Sequence, residues 1–378
     1  MIRPALVFPA RHWTTFRRMV DAPSTAGRVA RFLRALLFPA VVAAVFLGVL
    51  PRIANMDGVW RLIRSLSWDQ TFALLLLTAL NIVTYWPMLV AAMPGLTLGQ
   101  AGVVCQTSTS VAMTLPAGGA IAVGVSYTMY SSWGFTLAEI ARAAMATFFA
   151  NMSFKLVLPA IALLLLVVEG DASGGLLTTA VLGLVAFVVC VGALVALFHD
   201  ERVTRWAGRA AARVASRFRG WFRRPPVIGW DEGAVRFRSQ MVTLLRHRGA
   251  LLAGAEVLSQ FAVFFVMLAS IRFVGIPNSE VTFAEALAVF AFVRLASAMP
   301  IIPGNVGLAE LGYIGGIHLA GAALTPATAA VLLFRFLTYF LQIPLGGLTY
   351  LVWRRKTTWR VPAAALAADQ QDAVQAAR

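Results

Sequence analysis

The sequence predicts an all-α polytopic membrane protein with about six full transmembrane spans and two broken helical hairpins. Its 378 residues are 60% hydrophobic and only 13% charged, and the mean hydropathy is +0.78. This balance is far more apolar than a soluble domain of the same length needs. Apolar runs of about 20 residues, which cross about 30 Å of hydrocarbon as a helix, recur between residues 35 and 353. Segments of alternating polarity are lacking, which disfavours a transmembrane β-barrel.

Six segments are continuous enough to cross the membrane as single helices. They cover approximately residues 35–50, 72–93, 139–168, 175–198, 249–272 and 326–353. Two further apolar regions, 101–130 and 283–321, are each interrupted near the middle by a Pro/Gly cluster. In the first of these, the half before the break is too short to span a bilayer. We therefore expect each region to form a re-entrant hairpin, with a pair of tilted spans as the alternative.

The distribution of positive charge sets the expected topology. The formal net charge is +16, and the basic residues concentrate in segments 1–34, 199–248 and 354–378, which flank the apolar spans. Cytoplasmic segments of membrane proteins collect Lys and Arg, and the anionic leaflet attracts them. All three segments lie on one side of the membrane only if the chain leaves each broken region on the side from which it entered. The sequence thus predicts cytoplasmic N- and C-termini and no nucleic-acid partner.

The same topology divides the membrane domain, residues 35–353, into two units of like order. Repeat A (about 35–168) and repeat B (about 175–353) each read as span, span, broken hairpin, span, and they begin on opposite sides. Inverted repeats with discontinuous helices recur in transporters, where the broken ends form the substrate site. The pattern therefore favours a transporter.

The 199–248 loop contains a basic amphipathic helix. Five arginines recur every three or four residues, and apolar residues follow the same spacing. The arginines are Arg202, Arg205, Arg209, Arg213 and Arg217, and the apolar set is Val203, Trp206, Ala210, Val214 and Phe218. Such a helix suits the headgroup plane of an anionic leaflet, with packing on a partner as the alternative.

Ionisable side chains inside apolar segments are costly unless they are paired, hydrated or used. Lys155 lies near the middle of its span, which favours a polar cavity or an acidic partner. Glu256 and Gln260 are one helical turn apart and predict a polar stripe facing into the bundle. His318 has no second metal-ligand candidate nearby, so we expect a hydrogen-bonded packing role.

The second break is the most specific feature of the sequence. The run Pro303-Gly304-Asn305-Val306-Gly307 cannot continue a helix, so its backbone groups must be satisfied by protein or water. The helix that restarts there would direct free N–H groups and a positive dipole end toward a cavity, as a phosphate site requires. We expect Arg294 and Arg335 to complete this site. Glu310 would orient an arginine or exchange a proton.

The first break, Pro116-Ala117-Gly118-Gly119, follows the polar run 106–110. That run faces more than one side of a helix, which predicts a hydrated cavity wall, although Ser and Thr also satisfy helix backbone. Ser126 and Tyr127 would contact a headgroup across the same cavity. We expect the broken segment, including Pro116, Gly118 and Gly119, to contribute to substrate binding.

Catalytic machinery is lacking in the sequence. No Walker loop, paired acidic metal motif or Ser-His-Asp order occurs in a workable context. Cys105 and Cys190 have no CxxC or His spacing around them, which disfavours a disulfide or zinc site. We expect no enzyme activity, no cofactor and no metal.

The pattern Pro303-Gly304-x-x-Gly307-x-x-Glu310, followed by a span with Arg335, resembles the lysylphosphatidylglycerol synthase transmembrane region, a flippase-like family. The resemblance covers most of residues 35–353. Members include the membrane half of bacterial aminoacyl-phosphatidylglycerol synthases, which moves the modified lipid to the outer leaflet, and standalone proteins of glycolipid or isoprenoid-linked glycan pathways. It implies that these five residues carry the second-half motif.

The first-half motif departs from the family, which often has a Glu and an Arg after its Pro-Gly turn, whereas Ala120-Ile121-Ala122-Val123 stands here. No aminoacyl-transferase domain follows residue 353, so the resemblance implies a standalone transport region without synthase activity.

These observations predict a lipid transporter of the bacterial cytoplasmic membrane that moves an anionic phospholipid or a polyprenyl-linked intermediate. Broken helices together with scarce buried charge favour this function. A proton-coupled carrier of a soluble anion, or a non-transporting scaffold for a glycosyltransferase or synthase, are the alternatives. Candidate partners are membrane phospholipids or polyprenyl-linked lipids, a lipid-modifying enzyme, and a second copy of the chain as a homodimer.

Overall fold

The computed structural model describes residues 55–115, 118–169, 200–221, 230–297 and 307–361, and the single positions 185 and 192. The regular elements in these ranges are helical, which confirms the all-α prediction. The predicted spans 35–50 and 175–198, the basic segment 1–34 and the tail beyond Val361 lie outside the described residues. So do Pro116, Pro303, Gly304 and Asn305.

The helices of the first half, in chain order, are α1 (Met56–Arg64), α2 (Trp68–Thr84), α3 (Trp86–Ala92), α4 (Leu98–Thr114), α5 (Gly118–Ser132) and α6 (Leu137–Glu169). Those of the second half are α7 (Glu201–Trp221), α8 (Trp230–Phe273), α9 (Phe283–Ala296), α10 (Leu308–Leu319), α11 (Leu324–Arg335) and α12 (Gln342–Arg355). A π-helical turn (Phe336–Phe340) joins α11 to α12, and a 3-10 turn (Thr357–Trp359) follows α12.

Local sequence fixes where several helices begin. In four of them a Ser or Thr accepts a hydrogen bond from the backbone N–H three residues later, and the Glu or Gln at that position accepts one in return. This reciprocal arrangement satisfies two backbone donors that a helix start leaves without partners. The pairs are Ser67 with Gln70, Thr97 with Gln100, Thr136 with Glu139, and Thr282 with Glu285.

Four helical segments in the described part of the chain are long and apolar enough to cross a membrane. They are Trp68–Ala92, Leu137–Glu169, Phe237–Phe273 and Leu324–Arg355. They coincide with four of the predicted spans and make the chain a polytopic membrane protein. The first is interrupted at Tyr85 between α2 and α3, and the last contains the π-helical turn.

The two regions split by Pro/Gly clusters are helical hairpins, with α4 packed on α5 and α9 packed on α10. In the first hairpin, a Cβ at Gly95 would lie 3.8 Å from the Phe135 ring, so both ends of the hairpin are adjacent. The Val361 N–H donates to the Ser132 carbonyl at 3.0 Å. The basic segment after α12 therefore lies at these ends.

The second hairpin also begins and ends at one place. A Cβ at Gly321, just after α10, would lie 2.8 Å from the carbonyl oxygen of Glu280, just before α9. Helix α1 packs on the start of α11 close by, where a Cβ at Gly58 would lie 2.9 Å from Thr325 Cγ2.

Helix α8 connects two apolar clusters. The Met cluster contains Met88, Met129, Met241 and Leu252, and the Phe cluster contains Phe264, Phe290 and Tyr313. With 44 residues, α8 is long enough to contribute to both. Glu256 lies on α8 between Leu252 and Phe264, so a buried acid separates the two apolar clusters.

Packing between the two predicted repeats is reciprocal. The first arm of the first hairpin, α4, packs on α12, which ends the second unit. The first arm of the second hairpin, α9, packs on α6, which ends the first unit. Helices α2 and α8, which hold the same place in the two units, pack on each other.

The basic helix α7 packs on α8, and the tryptophan of its predicted apolar face is not buried there. Thr204 and Gly208 are buried, whereas Trp206 is 61% exposed. The five regularly spaced arginines are all exposed. Small residues allow close approach to α8, so the helix presents outward a basic surface that contains a tryptophan.

Candidate functional site

A hydrogen-bonded group of polar side chains joins α6, α8 and α9. Asn151 Nδ2 and Gln260 Nε2 both donate to Glu256 Oε1, at 2.9 and 2.7 Å. Arg294 Nη2 donates to Gln260 Oε1 at 2.5 Å. Glu256 is only 2% exposed. The stripe expected from Glu256 and Gln260 therefore exists and faces into the bundle.

Lys155 adds a second cation to this group. It lies one helical turn after Asn151 on α6, is half-buried, and interacts electrostatically with Arg294 and Glu256. Pro159 stands four residues later within α6 and has no N–H, so the Lys155 carbonyl lacks its usual helical donor. We name Asn151, Lys155, Glu256, Gln260 and Arg294 the central polar cluster.

The central polar cluster is positive and incompletely satisfied. Two cations and one carboxylate give a formal charge of +1. Among the described residues, Glu256 Oε2 and Arg294 Nε are buried and have no hydrogen-bond partner. Leaving a buried polar atom unsatisfied costs roughly 1–3 kcal/mol, and more when the group is charged. An anionic group placed there can accept a hydrogen bond from Arg294 Nε, whereas Glu256 Oε2 is an acceptor and needs a donor or a proton.

The depth of the cluster matches that of a site within a bilayer. Lys155 lies near the middle of α6, and Glu256 lies near the middle of the apolar stretch Phe237–Phe273. Long side chains there cannot easily extend to either interface. Arg294 lies near the end of α9, with its guanidinium carbon 5.6 Å from the centroid of the Phe290 ring.

A second polar group lies at the start of α10. The Arg335 Nε donates to Glu310 Oε1 at 2.6 Å, and the Gly307 N–H donates to Glu310 Oε2 at 2.7 Å. The side chains of Glu310 and Arg335 are 2% and 12% exposed. Arg335 also lies over the Tyr339 ring at 4.6 Å, and the Tyr339 hydroxyl donates to the Met113 carbonyl at 2.7 Å.

This hairpin-linking chain, Gly307-Glu310-Arg335-Tyr339-Met113, connects the two breaks. Met113 ends the first arm of the first hairpin, and Gly307 begins the second arm of the second. Each oxygen of the Glu310 carboxylate accepts a hydrogen bond. The chain is therefore a satisfied set of contacts between the hairpins, in contrast to the central polar cluster.

A family model described as the lysylphosphatidylglycerol synthase TM region matches residues 36–346. The chain belongs to this family. A comparison with curated proteins finds no match. The lysylphosphatidylglycerol synthase TM region match includes both hairpins, the central polar cluster and the hairpin-linking chain. It also agrees with the resemblance based on the second break.

In the described part of the second-half motif, the polar groups bond to one another. The expected phosphate site stays a prediction, because Pro303, Gly304 and Asn305 lie outside the described residues. The first N–H of the restarted helix, that of Gly307, is bound by Glu310, and Arg335 pairs with the same carboxylate. Glu310 thus orients an arginine, as one of the two sequence interpretations held. Arg294 belongs instead to the central polar cluster. Tyr313 interacts electrostatically with both Arg294 and Arg335.

At two of the three described glycines beside the breaks, the local structure requires a residue without a Cβ. Gly307 has φ of +89°, a conformation that residues with a Cβ rarely adopt. A Cβ at Gly118 would lie 2.5 Å from the Ala112 carbonyl oxygen, so glycine permits the tight approach of α5 to α4. A Cβ at Gly119 would meet no atom within 4 Å. Ser126 and Tyr127 are half-buried on α5.

Part of the polar run before the first break contacts α12, and the hydrated wall stays a prediction. Thr107 is buried and its hydroxyl lies 2.9 Å from that of Thr349. Ser110 donates to the Ile343 carbonyl at 3.0 Å. A Cβ at Gly346 would lie 2.1 Å from Ser110 Cβ, which shows how closely the helices approach.

Sequence reasoning missed three residues of the two polar groups. Asn151 lies one turn before Lys155, and Tyr339 lies one turn after Arg335, so helical spacing from a buried cation would have found both. The carbonyl of Met113 gave no such signal. His318 has the expected packing role, because its Nδ1 lies 2.8 Å from the Ala322 carbonyl oxygen just past the end of α10.

Proposed function

We propose that this protein transports a lipid across the bacterial cytoplasmic membrane and that the cargo is an anionic phospholipid or a polyprenyl-linked intermediate. The headgroup passes through the central polar cluster while the acyl or prenyl chains stay in the bilayer. The observation that carries this proposal is a cluster of net positive charge, midway along the spans, in which two buried polar atoms have no partner among the described residues. A phosphate group would satisfy Arg294 and Lys155 together.

Access from the bilayer favours a lipid over a soluble anion. Val257 and Leu258, the two residues after Glu256, are exposed, and Leu258 is 53% exposed. On α6 Phe148 is exposed one turn before Asn151. These apolar side chains lie on the outer surface beside the central polar cluster. Such an arrangement suits a lipid whose headgroup enters the cluster laterally from the bilayer while its chains stay outside.

The architecture supports alternating access. In our interpretation the two hairpins are re-entrant, because each begins and ends at one face of the bundle, and the two units form an inverted repeat, because their packing is reciprocal. Transporters with such repeats place the substrate site where the broken helices meet. Arg294, near the tip of α9, belongs to that region.

The orientation follows from charge. Arg354, Arg355 and Lys356 lie beside the ends of the first hairpin, and the arginines of α7 are exposed. Positive segments favour the cytoplasmic face. We therefore place the ends of the first hairpin in the cytoplasm, with those of the second on the opposite side.

Reconstitution tests the function. The purified full-length protein would be placed in liposomes containing fluorescent phospholipids or polyprenyl phosphates, and the transbilayer movement of each would be measured by quenching from outside. We expect faster movement of at least one anionic lipid than in protein-free liposomes. If folded protein moves none of them, the transport proposal fails and the scaffold alternative is favoured. Uptake of inorganic phosphate into the liposomes together with no lipid movement would favour a carrier of soluble anions.

The two lysines of the chain provide a matched pair of variants. Lys155→Gln removes a cation from the central polar cluster, whereas Lys356→Gln removes one from the segment after α12, where it stacks on Trp359. We expect Lys155→Gln to slow lipid movement about tenfold, which corresponds to about 1.4 kcal/mol of lost headgroup interaction. Lys356→Gln should transport like the unmodified protein. Equal rates for all three would remove Lys155 from the site.

A further inference from the structure

Glu256 is out of place in a site that binds an anion. Its carboxylate is 2% exposed, lies at the middle of a span, and would repel a phosphate group at close range. The two cations beside it cannot neutralise the acid and bind a phosphate fully at the same time. A neutral Glu256 removes this conflict.

The hydrogen bonds around Glu256 leave one oxygen available. Asn151 and Gln260 both donate to Oε1, and Oε2 is buried with no partner among the described residues. The two amides do not titrate, so they hold Oε1 in place whether or not Oε2 carries a proton. Oε2 is therefore the atom at which a proton can be gained or lost without disturbing the cluster.

The charged and titratable groups that face Glu256 come from three elements packed on α8. Lys155 on α6, Arg294 on α9 and Tyr85 between α2 and α3 each interact electrostatically with this region. Helix α11 has one ionisable side chain, Arg335, which pairs with Glu310. The arginines of α7 are exposed. When Glu256 is neutral, the formal charge of the central polar cluster rises from +1 to +2.

We propose that Glu256 is a proton-exchange site that couples lipid movement to a proton gradient. Oε2 takes a proton from water on the acidic side as the anionic headgroup binds, and the O–H bond breaks when the headgroup leaves on the other side. The donor is a hydronium ion, whose O–H bond breaks as the bond to Oε2 forms, and a water molecule on the other side accepts the proton on release. This inference rests on the proposed lipid transport and adds its coupling ion.

The sign of the coupling follows from the charges. Protonation raises the positive charge of the cluster, so it strengthens binding of an anion, and by reciprocity the anion strengthens binding of the proton. Proton and headgroup therefore travel in the same direction. An acidic exterior should draw the lipid from the outer leaflet to the inner leaflet.

Proteoliposomes with an imposed pH difference test this direction. With the exterior one pH unit more acidic, one-for-one coupling drives up to about tenfold enrichment of a labelled anionic lipid in the inner leaflet. Glu256→Gln keeps the shape of the neutral acid but cannot titrate, so the pH difference should produce no enrichment at whatever rate this variant moves lipid. Glu139→Gln, which alters a half-buried carboxylate bonded to Thr136 at the start of α6, should behave like the unmodified protein.

The outcomes separate this inference from the function on which it rests. Lipid movement that ignores the pH difference, enrichment in the outer leaflet, or enrichment that survives Glu256→Gln would each overturn proton coupling and leave lipid transport standing. If no lipid moves, the proposed function fails and infrared difference spectroscopy decides the proton site. We expect a titrating carboxylic acid band that Glu256→Gln removes and Glu139→Gln keeps, and the lack of such a band would overturn the assignment.

Discussion

Replacing Arg335 with alanine tests whether the second-half motif is structural. In the native protein Glu310 is 2% exposed, accepts a hydrogen bond from Arg335 Nε at 2.6 Å, and accepts another from the Gly307 N–H at 2.7 Å. Arg335→Ala removes the cation and leaves the carboxylate buried with one oxygen unsatisfied. Breaking a buried pair in this way costs about 3–5 kcal/mol. Loss of the contact with Tyr339 at 4.6 Å contributes about 0.5–2 kcal/mol within the same change.

The measurement is equilibrium unfolding in mixed detergent micelles, followed by tryptophan fluorescence. We expect Arg335→Ala to lower the free energy of unfolding by about 3–5 kcal/mol. A double variant, Arg335→Met with Glu310→Gln, leaves no buried charge and keeps an acceptor for Gly307, so it should recover most of the loss. Arg209→Ala, on the exposed face of α7, should change the free energy by less than about 0.5 kcal/mol.

Transport by the double variant then shows whether Arg335 contacts the lipid. Since the central polar cluster is intact in it, we expect lipid movement close to the native rate. A stable double variant that moves no lipid would instead place Arg335 in the binding site. An Arg335→Ala protein as stable as the native one would refute the view that the pair holds the second hairpin in place.

Three other predictions concern packing and topology. Gly346→Ala puts a Cβ 2.1 Å from a side-chain atom of α4 and should lower stability by about 1–3 kcal/mol in the same unfolding assay, whereas Gly347→Ala meets no atom within 4 Å and should not. Tyr339→Phe keeps the ring but loses the hydrogen bond from the π-helical turn to Met113 of the first hairpin, so unfolding should require about 1 kcal/mol less. In a background without native cysteines, an impermeant maleimide should label Ser279→Cys in intact cells but Pro94→Cys only after permeabilisation, because the two hairpins begin on opposite sides. Labelling of both in intact cells would contradict the re-entrant arrangement.

The sequence predicted the helical elements well because spans and breaks are local properties. Apolar runs of sufficient length, and Pro/Gly clusters that interrupt them, decide where helices cross and where they stop. Helical spacing likewise placed Glu256 and Gln260 on one inward face. These inferences needed no knowledge of which helices are neighbours, so they agreed with the structure.

The pairing of side chains depends on packing between distant segments, which local sequence patterns predict less well. Arg294 and Arg335 are both arginines near a helix break, yet one bonds to Gln260 on α8 and the other to Glu310 on α10. The polar run with Thr107 faces α12 because Gly346 allows close approach. Nothing in the spacing of α7 revealed that Thr204, rather than Trp206, faces α8.

The contrast between the two polar groups supports the proposal that the central polar cluster binds the headgroup. In the hairpin-linking chain a carboxylate and a guanidinium neutralise each other, and both carboxylate oxygens accept hydrogen bonds. In the central polar cluster the charges do not cancel, and Glu256 Oε2 and Arg294 Nε have no partner within the described ranges. Hydrocarbon supplies no water to compensate for such a deficit, and in the proposed function a headgroup and a proton compensate for it. The Glu310–Arg335 pair has no such deficit, so we expect an anionic headgroup to gain more by binding at the central polar cluster.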